Sequence, residues 1–300
     1  MVHPFLVRKS RTQERVIRTF CLLCAAASIL ITAGIIAVLA KEAFTFFTKV
    51  SPITFFTGKE WYPSMDPPKF GVLPLFSGTL LITLGSAFIA VPLGLLAAIY
   101  LSEYASPRAR KWLKPILELL AGIPTVVYGY FGLTTITPWL QKLSPDFETF
   151  NGAAGAIVVG IMTLPLVASL CEDAIKSVPK QLREGAYGLG ATKFEVTMKI
   201  VVPAAFSGIM AAVILAISRA VGETMAVALA AGQAPKLTLD PRVSIETMTA
   251  FIVQTSKGDI RYGSTEYQTI YAVGLTLFAT TFILNIIALR LVKRFRIAYT

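Results

Sequence analysis

Six long apolar blocks dominate the sequence, and each is long enough to form a helix that crosses a lipid bilayer. Such a helix needs roughly 20 apolar residues. Five blocks carry no charged residue, and the remaining one is interrupted only by Arg219 and Glu223. The blocks cover residues 19–40, 70–102, 119–141, 149–171, 200–235 and 267–289. The sequence therefore predicts an all-α polytopic membrane protein with six transmembrane helices, organised as one domain over residues 1–300.

The composition supports a membrane protein over a soluble one. Charged residues make up only 15% of the chain, whereas a soluble domain carries about a quarter. The first block follows a basic stretch, as in a secretory signal, but its apolar run is too long for the central region of a signal peptide. We therefore expect it to remain as an uncleaved anchor.

The basic residues give the orientation of the chain. Eighteen of them fall in the tails 1–18 and 290–300 and in the loops after the second and fourth blocks, and nine fall in the opposite loops. Basic residues concentrate on the cytoplasmic side of membrane proteins. The sequence thus predicts a protein of the bacterial cytoplasmic (inner) membrane with both termini in the cytoplasm.

Several classes of active site are excluded by residue types. His3 is the only histidine, which rules out a histidine-based catalytic or zinc site. Cys21, Cys24 and Cys171 lie in apolar blocks, where small packing residues are more common than redox or metal sites. No G-x-x-x-x-G-K-[ST] motif is present, so the chain cannot bind ATP through a P-loop.

Two extracytoplasmic loops differ in character. Residues 42–69 are rich in aromatic residues and proline, including Trp61. This pattern is typical of an interfacial belt and equally of a docking surface for a soluble partner. Residues 236–266 carry four basic and four acidic residues, which favours an ordinary solvated segment.

Two features of the spans predict helix shape and packing. Pro124 and Pro165 lie inside the third and fourth blocks, where proline often kinks a helix beside a pathway. The fifth block has a small residue at every fourth position, which lets another helix approach closely. These residues are Gly208, Ala212, Ala216, Ala220, Thr224, Ala228 and Gly232.

The predicted cytoplasmic segment 176–203 is too polar to span a membrane and too patterned for a linker. Lys180, Arg183, Glu184 and Tyr187 follow a spacing that places them on one helical face, while Leu182, Ala186 and Leu189 occupy another. Gly188 and Gly190 allow a tight turn, Thr192 and Glu195 form a capping-box pattern, and Pro203 opens the next span. We expect two short helices joined by a glycine elbow, either as a hairpin on the membrane surface or as a docking element.

The docking interpretation gains support from a resemblance. Glu184-Gly185-Ala186, followed by Gly190 and Pro203, resembles the EAA loop of ATP-binding-cassette (ABC) import permeases, with Gly185 where alanine is commoner. Stretches that begin at Gly71, Ala98, Leu119 and Ser218 further resemble the permease subunits of phosphate-specific ABC importers.

The resemblance implies a type I ABC importer permease fold and a set of partners. In that family the EAA loop is a coupling helix that docks into a separate ATPase. The implied partners are a second homologous permease, an ATPase dimer and an extracytoplasmic phosphate-binding protein. ATP and magnesium would bind to the ATPase, and this chain would be non-catalytic and hold no cofactor.

Glu118, Arg219 and Glu223 are the candidate pathway residues. A charge within the bilayer is costly and should face protein or water. Arg219 and Glu223 are four residues apart, so we expect them to share a face and pair, either as a packing pair or as part of the pathway. Arginine matches phosphate oxygens, and Glu223 could accept the proton that phosphate carries and sulfate lacks. Glu118 either pairs with Lys114 or extends toward the interface.

Two alternatives remain open at this point. The chain could be a permease for another oxyanion, such as sulfate, molybdate or phosphonate. It could also be an ATP-independent secondary transporter, although no inverted repeat is visible and the patterned loop would then lack a purpose. A membrane enzyme is weaker, because no nucleophile–base pair or metal cluster stands out.

Overall fold

A computed structural model describes residues 11–294, so parts of both predicted cytoplasmic tails (1–18 and 290–300) and His3 lie outside the described residues. The first half contains α1 (Arg11–Lys49), α2 (Pro52–Thr57), a hairpin of β1 (Trp61–Tyr62) and β2 (Lys69–Phe70), α3 (Leu73–Tyr104), α4 (Pro107–Gly122) and α5 (Thr125–Leu143). The second half contains α6 (Gly152–Lys176), α7 (Lys180–Gly188), α8 (Lys193–Ala204), α9 (Phe206–Val221), α10 (Met225–Ala230), α11 (Met248–Lys257) and α12 (Thr265–Arg294). The two-stranded sheet is antiparallel, with Trp61 opposite Phe70.

The all-α architecture accommodates the six predicted spans in two different ways. Helices α1, α3, α6 and α12 are each long and apolar enough to cross a membrane as one rod. The other two spans are bent pairs, with α4 and α5 at 91° and α8 and α9 at 68°. Within residues 11–294, six spans therefore result when each bent pair is counted once.

The third apolar block is not the single kinked helix that the sequence predicted. Helix α4 ends at Gly122, Ile123 is extended, and Pro124 precedes the first residue of α5. A proline disfavours helical backbone in the residue before it, so the chain turns sharply at Ile123. Pro165, in contrast, lies inside the unbroken α6.

The fifth block is also divided, and this corrects the predicted seam of small residues. Helix α9 ends at Val221, and a short break separates it from α10. Up to Ala220 the seam packs as expected: Ala212, Ala216 and Ala220 are buried, and a Cβ added to Gly208 would lie 2.6 Å from Ala174 Cβ on α6. Beyond the break, Thr224, Ala228 and Gly232 no longer continue that helical face. Pro203 lies inside α8, two residues before the bend at Ala205, and α9 begins at Phe206.

Helices α3, α6 and α9 form the centre of the bundle, while α1 lies at its outside. Cys171 of α6 is fully buried in this centre and packs as an apolar residue. Cys21 and Cys24 are exposed on α1. Cys171 thus packs as the sequence predicted, whereas Cys21 and Cys24 are not part of the buried core. Within residues 11–294, no cluster of metal-ligating residues occurs.

The aromatic loop 42–69 folds into a compact cap at one end of the bundle. Trp61 is only 1% exposed, and its ring packs edge-on against Phe251 and Phe55 with centroids 5.0 and 6.0 Å away. Trp61 is therefore a core residue of this cap rather than part of an interfacial belt or a free docking surface. We call this end of the bundle the cap end.

The segment 236–266 is not the ordinary solvated loop that its balanced charges predicted. It contains α11, and Glu246, Thr247 and Met248 at the start of this helix are buried. Glu246 is 3% exposed, and desolvation raises the pKa of its carboxyl to about 8. Burial away from water disfavours the ionised carboxylate, which accounts for the raised pKa.

We predict that Glu246→Gln removes a pH dependence of stability. Because the folded pKa lies above the value near 4.5 in the unfolded chain, ionisation opposes folding, and stability falls as pH rises from about 4.5 to 8. The variant should melt several degrees higher than the parent at pH 8 and equally at pH 4.5, as measured by thermal unfolding in detergent. The exposed Glu60→Gln is the control, and a parallel pH dependence of parent and Glu246→Gln would contradict the prediction.

Candidate functional site

A cavity of about 440 Å³ opens between α4, α6 and α9 in the half of the bundle opposite the cap. Its lining brings together two of the three predicted pathway residues, Arg219 and Glu118, with Lys114 and Glu172. Pro165 lines the same cavity, so the proline inside α6 lies beside it as the sequence predicted for a pathway. Four ionisable side chains therefore share one water-accessible space, which is where charges in a membrane protein are expected.

Glu172 is the most deeply buried charge of this region, and three cations surround it. Its carboxylate is 1% exposed, 3.8 Å from Arg110 Nε and 3.5 Å from Lys114 Nζ, and it accepts a hydrogen bond from Lys176. Three cations against one carboxylate leave a local positive excess. Of the two alternatives for Glu118, the pair with Lys114 is not formed, and Lys114 pairs with Glu172.

Arg219 and Glu223 do not form the pair that their spacing predicted. Helix α9 ends at Val221, so the four-residue spacing no longer places both side chains on one face. Glu223 is 7% exposed, and its Oε1 accepts a hydrogen bond of 3.3 Å from the main-chain N–H of Ala226 at the start of α10. Its carbonyl accepts one of 2.8 Å from Thr249 Oγ1, which ties the break to α11. Arg219 lines the cavity without an ion pair to any carboxylate of residues 11–294.

The segment 176–203 forms the predicted helical hairpin. Helix α7 ends at Gly188, and Gly190 has a φ of +83°, which a residue with a side chain rarely adopts. The capping box then starts α8: Thr192 Oγ1 accepts from the N–H of Glu195, and the Glu195 carboxylate accepts from the N–H of Thr192. We call residues 180–204 the coupling hairpin.

Arg183 fixes the coupling hairpin to two membrane helices. Its guanidinium donates to the carbonyls of Val178 and Ile175 at 2.6 and 2.8 Å, which closes the C-terminal end of α6. It also pairs with Glu103 at the end of α3 at 3.1 Å, with both side chains mostly buried. On the inner face, Ala186 packs into the bundle core. The hairpin therefore cannot shift without moving the ends of α3 and α6.

The outer surface of the coupling hairpin is apolar and exposed. Leu189 is 90% exposed, and Phe194, Met198 and Tyr187 are also exposed. Leu189 had been placed with Ala186 on one face, but it lies in the turn and points away from the bundle. Glu184 and Gly185 are exposed as well, and a Cβ added to Gly185 would meet nothing within 4 Å. Such a surface is typical of a docking site.

Glu172 and Glu103 are the functional candidates that sequence reasoning missed. Glu172 is the first residue after the apolar block 149–171, and Glu103 is the first residue after the block 70–102. Both therefore fall just outside the predicted spans. For Glu172 a signal was available, because Lys176 lies four residues later on the same helical face. Glu103 pairs with a residue 80 positions away, which spacing cannot reveal.

We predict that Glu172→Gln lowers the melting temperature of the purified protein by several degrees. The substitution leaves Arg110, Lys114 and Lys176 close together without their shared counter-charge, at a cost of about 2 kcal/mol given that these cations are partly exposed. Glu118→Gln is the matched control, since Glu118 is exposed in the same cavity. Equal melting temperatures of Glu172→Gln and the parent would show that Glu172 is not a structural counter-charge.

Comparison with known proteins gives the family. Residues 90–297 match the family of binding-protein-dependent transport system inner membrane components. The chain is 41% identical to a probable ABC transporter permease protein, YqgH, of Bacillus subtilis, over 90% of this chain and 86% of that protein. It is 35% identical to the phosphate transport system permease protein PstC of Mesorhizobium japonicum, over 80% of this chain and 78% of that protein.

Solved structures agree on the fold. The chain superposes on a bacterial alginate ABC transporter with a TM-score of 0.65 at 15% identity, over 95% of this chain and 98% of that one. It superposes on the methionine ABC transporter MetNI with a TM-score of 0.56 at 19% identity, over 76% of this chain and 95% of that one. This chain is a member of the binding-protein-dependent transport system inner membrane component family, a multi-pass permease of the ABC importer type.

Proposed function

We propose that this chain is a PstC-like permease subunit of an ATP-driven importer of inorganic phosphate. The observation that carries the proposal is the identity of 35% to a phosphate transport system permease over four fifths of the chain. The cavity that holds Arg219 next to a cluster of three cations around Glu172 supports an anionic cargo. A fork of guanidinium donors matches the oxygens of phosphate.

The end of the bundle opposite the cap is proposed to face the cytoplasm. The basic loop that starts α4 and the coupling hairpin lie together there, joined through Glu103, Glu172 and their cations. This clustering supports the positive-inside orientation that the sequence predicted. Both termini would then lie in the cytoplasm of a cell with this chain in its inner membrane.

The coupling hairpin is proposed to dock an ATPase. Its exposed apolar surface around Leu189 and Phe194 supports a protein partner rather than solvent. The residues Glu184, Gly185, Ala186, Gly190 and Pro203 are proposed to form the coupling element. ATP and magnesium would bind to a PstB-like ATPase dimer, and this chain would hold no cofactor and carry out no hydrolysis.

Two further partners complete the proposed importer. A PstA-like second permease would form the other half of the pathway, because the lining of the cavity around Arg219 comes from only three helices of this chain. A PstS-like phosphate-binding protein would deliver cargo to the cap end. Selection between anions would lie mainly with that protein, since the cavity must release its cargo.

Within the pathway, Arg219 and Glu118 are proposed to face the cargo directly. Glu223 is buried behind the break after α9 and accepts a hydrogen bond from the backbone of α10. We propose that Glu223 stabilises this break in the helix next to Arg219. For Glu223 to accept a hydrogen bond from the proton of phosphate, the break would have to move. If the Glu223→Gln variant keeps the preference for phosphate over sulfate, then Glu223 only stabilises the break and does not contribute to selectivity.

The cargo is tested by uptake of labelled phosphate into vesicles that contain the complete complex. We expect ATP-dependent uptake that excess unlabelled phosphate and arsenate suppress and that sulfate, molybdate and phosphonate leave unchanged. Suppression by one of the last three at equal concentration would instead assign the permease to that oxyanion. Equal uptake without ATP would assign it to the secondary transporters.

We predict that Arg219→Met lowers phosphate uptake by at least tenfold, because a charge-assisted hydrogen bond to an anion contributes about 1.5–3 kcal/mol. Arg219→Lys keeps the charge but loses the fork of donors, so it should be intermediate. Uptake is measured in vesicles with equal amounts of assembled complex. Arg290→Met, in the predicted tail, is the matched control, and undiminished uptake by Arg219→Met would exclude Arg219 from the pathway.

We also predict that Arg183→Met uncouples transport from ATP hydrolysis. It removes the tie between the coupling hairpin, α3 and α6, so uptake per ATP hydrolysed should fall about tenfold while hydrolysis continues. Arg183→Lys retains the charge opposite Glu103 but has fewer hydrogen-bond donors, so its uptake per ATP hydrolysed should lie between the values of the parent and of Arg183→Met. The ratio of uptake to hydrolysis in the same vesicles is the measurement, and an unchanged ratio in Arg183→Met would refute the tie.

A further inference from the structure

A second cavity of about 440 Å³ lies at the cap end, and it shares no lining residue with the cavity around Arg219. Its walls come from the β1–β2 hairpin, from residues 233–246 and from the loop after α11. Its polar lining residues include Trp61, Gln233, Glu246, Gln254, Asp259 and Glu266. None of the transport residues discussed above contributes to it, and the cavity therefore calls for its own explanation.

Two buried polar atoms in the walls of this cavity have no partner. Trp61 Nε1 and Glu246 Oε1 are inaccessible to solvent and make no hydrogen bond within residues 11–294. Trp61 and Glu246 are 1% and 3% exposed, respectively. An unsatisfied buried polar group costs about 1–3 kcal/mol. Two of them in the walls of one cavity indicate that something with both a donor and an acceptor completes the site.

The charge of the lining identifies the kind of occupant. Glu246, Asp259 and Glu266 are the ionisable carboxyls of the lining, and no lysine, arginine or histidine lies among its residues. Glu266 is already engaged by the hydroxyl of Ser64, which leaves Glu246 and Asp259. An anion would meet no basic side chain in this lining, whereas a cation would supply the counter-charge that favours the ionised form of Glu246. No cluster of ligands suited to a metal ion occurs among the described residues, which leaves an organic cation.

We propose that this cavity binds the side chain of a basic amino acid, with its guanidinium or ammonium group against Glu246 and Asp259. The aromatic and apolar walls, which include Tyr62, Met65 and Phe251, suit the aliphatic stem of arginine or lysine. The main-chain carbonyl that such a residue carries supplies an acceptor for Trp61 Nε1. Two sources present this chemistry: a residue of a protein docked on the cap, and a free basic amino acid or peptide.

The site stands on the lining of the cap and does not depend on the cargo of the permease. The proposed cap site would remain if the transported anion were sulfate. If the cap site were disproved, the proposal of phosphate uptake through Arg219 would be unaffected. Uptake and cap binding are therefore measured separately. The cap experiment requires no transport and no ATP.

Saturation-transfer NMR on the complex of the two permeases and the ATPase in nanodiscs, without the binding protein, tests the site, with N-acetyl-arginine amide as the probe. N-acetyl-citrulline amide is the control, because it has nearly the same shape and no charge. We expect a saturable signal from the arginine probe and at least tenfold weaker binding of the citrulline compound. Equal binding of the two compounds, or no saturable signal from the arginine probe, would overturn the proposal, since water or the second permease would then already complete the cavity.

Two substitutions locate the binding. Glu246→Gln should weaken the arginine probe at least tenfold, and Trp61→Phe, which keeps the ring and removes the N–H, should weaken it about fivefold. Glu60→Gln, an exposed carboxylate at the same end, should have no effect. Equal binding to the parent, Glu246→Gln and Glu60→Gln would place the probe elsewhere and overturn the proposal.

A final arm identifies the source of the cation. Adding the binding protein of the same importer should abolish the probe signal if a residue of that docked protein fills the cavity. An undiminished signal with the binding protein docked would identify a free basic amino acid or peptide as the occupant. Both outcomes support the cation site, and they differ only in who supplies the side chain.

Discussion

The cost of exposing backbone polar groups and charges to hydrocarbon organises this structure. Lipid tails neither form hydrogen bonds with backbone groups nor solvate charges. Helices can therefore break and carry charges only where protein or water provides these interactions. The two spans that break, at Pro124 and after Val221, are the same two whose segments reach the cavity with Glu118 and Arg219. The unbroken α6 completes the same cavity with Pro165 and Glu172. Two broken spans and one unbroken span thus place their charges in one protected space.

The two ends of the bundle are built on different interactions. Opposite the cap, ion pairs join the coupling hairpin and α4 to the ends of α3 and α6. The cap is held by aromatic packing around Trp61, Phe55 and Phe251. Directional, charge-assisted contacts suit the coupling role proposed for the hairpin, whereas a packed aromatic cluster gives a stable platform. This difference supports the proposal that an ATPase docks at one end and that cargo arrives at the other.

The sequence predicted what local patterns determine. Apolar length gave the six spans, and the coupling hairpin followed from Gly190 and the capping box of Thr192 and Glu195. Spacing failed where the chain departs from a regular helix, so Arg219 and Glu223 appeared paired although the helix ends between them. It also failed for Glu246 and Glu172, whose burial depends on segments distant in sequence. Local charge balance could not reveal that Glu246 folds beneath an aromatic cap.

We propose that this chain is one coupled half of an ATP-driven pathway and not a transporter by itself. Reconstitution tests it most directly, by comparing labelled phosphate uptake into vesicles that hold this chain alone with uptake into vesicles that hold it with its second permease, ATPase and binding protein. We predict uptake only in the complete set, and only with ATP enclosed on the side of the coupling hairpin. Uptake by this chain alone, driven by an ion gradient without ATP, would contradict the account.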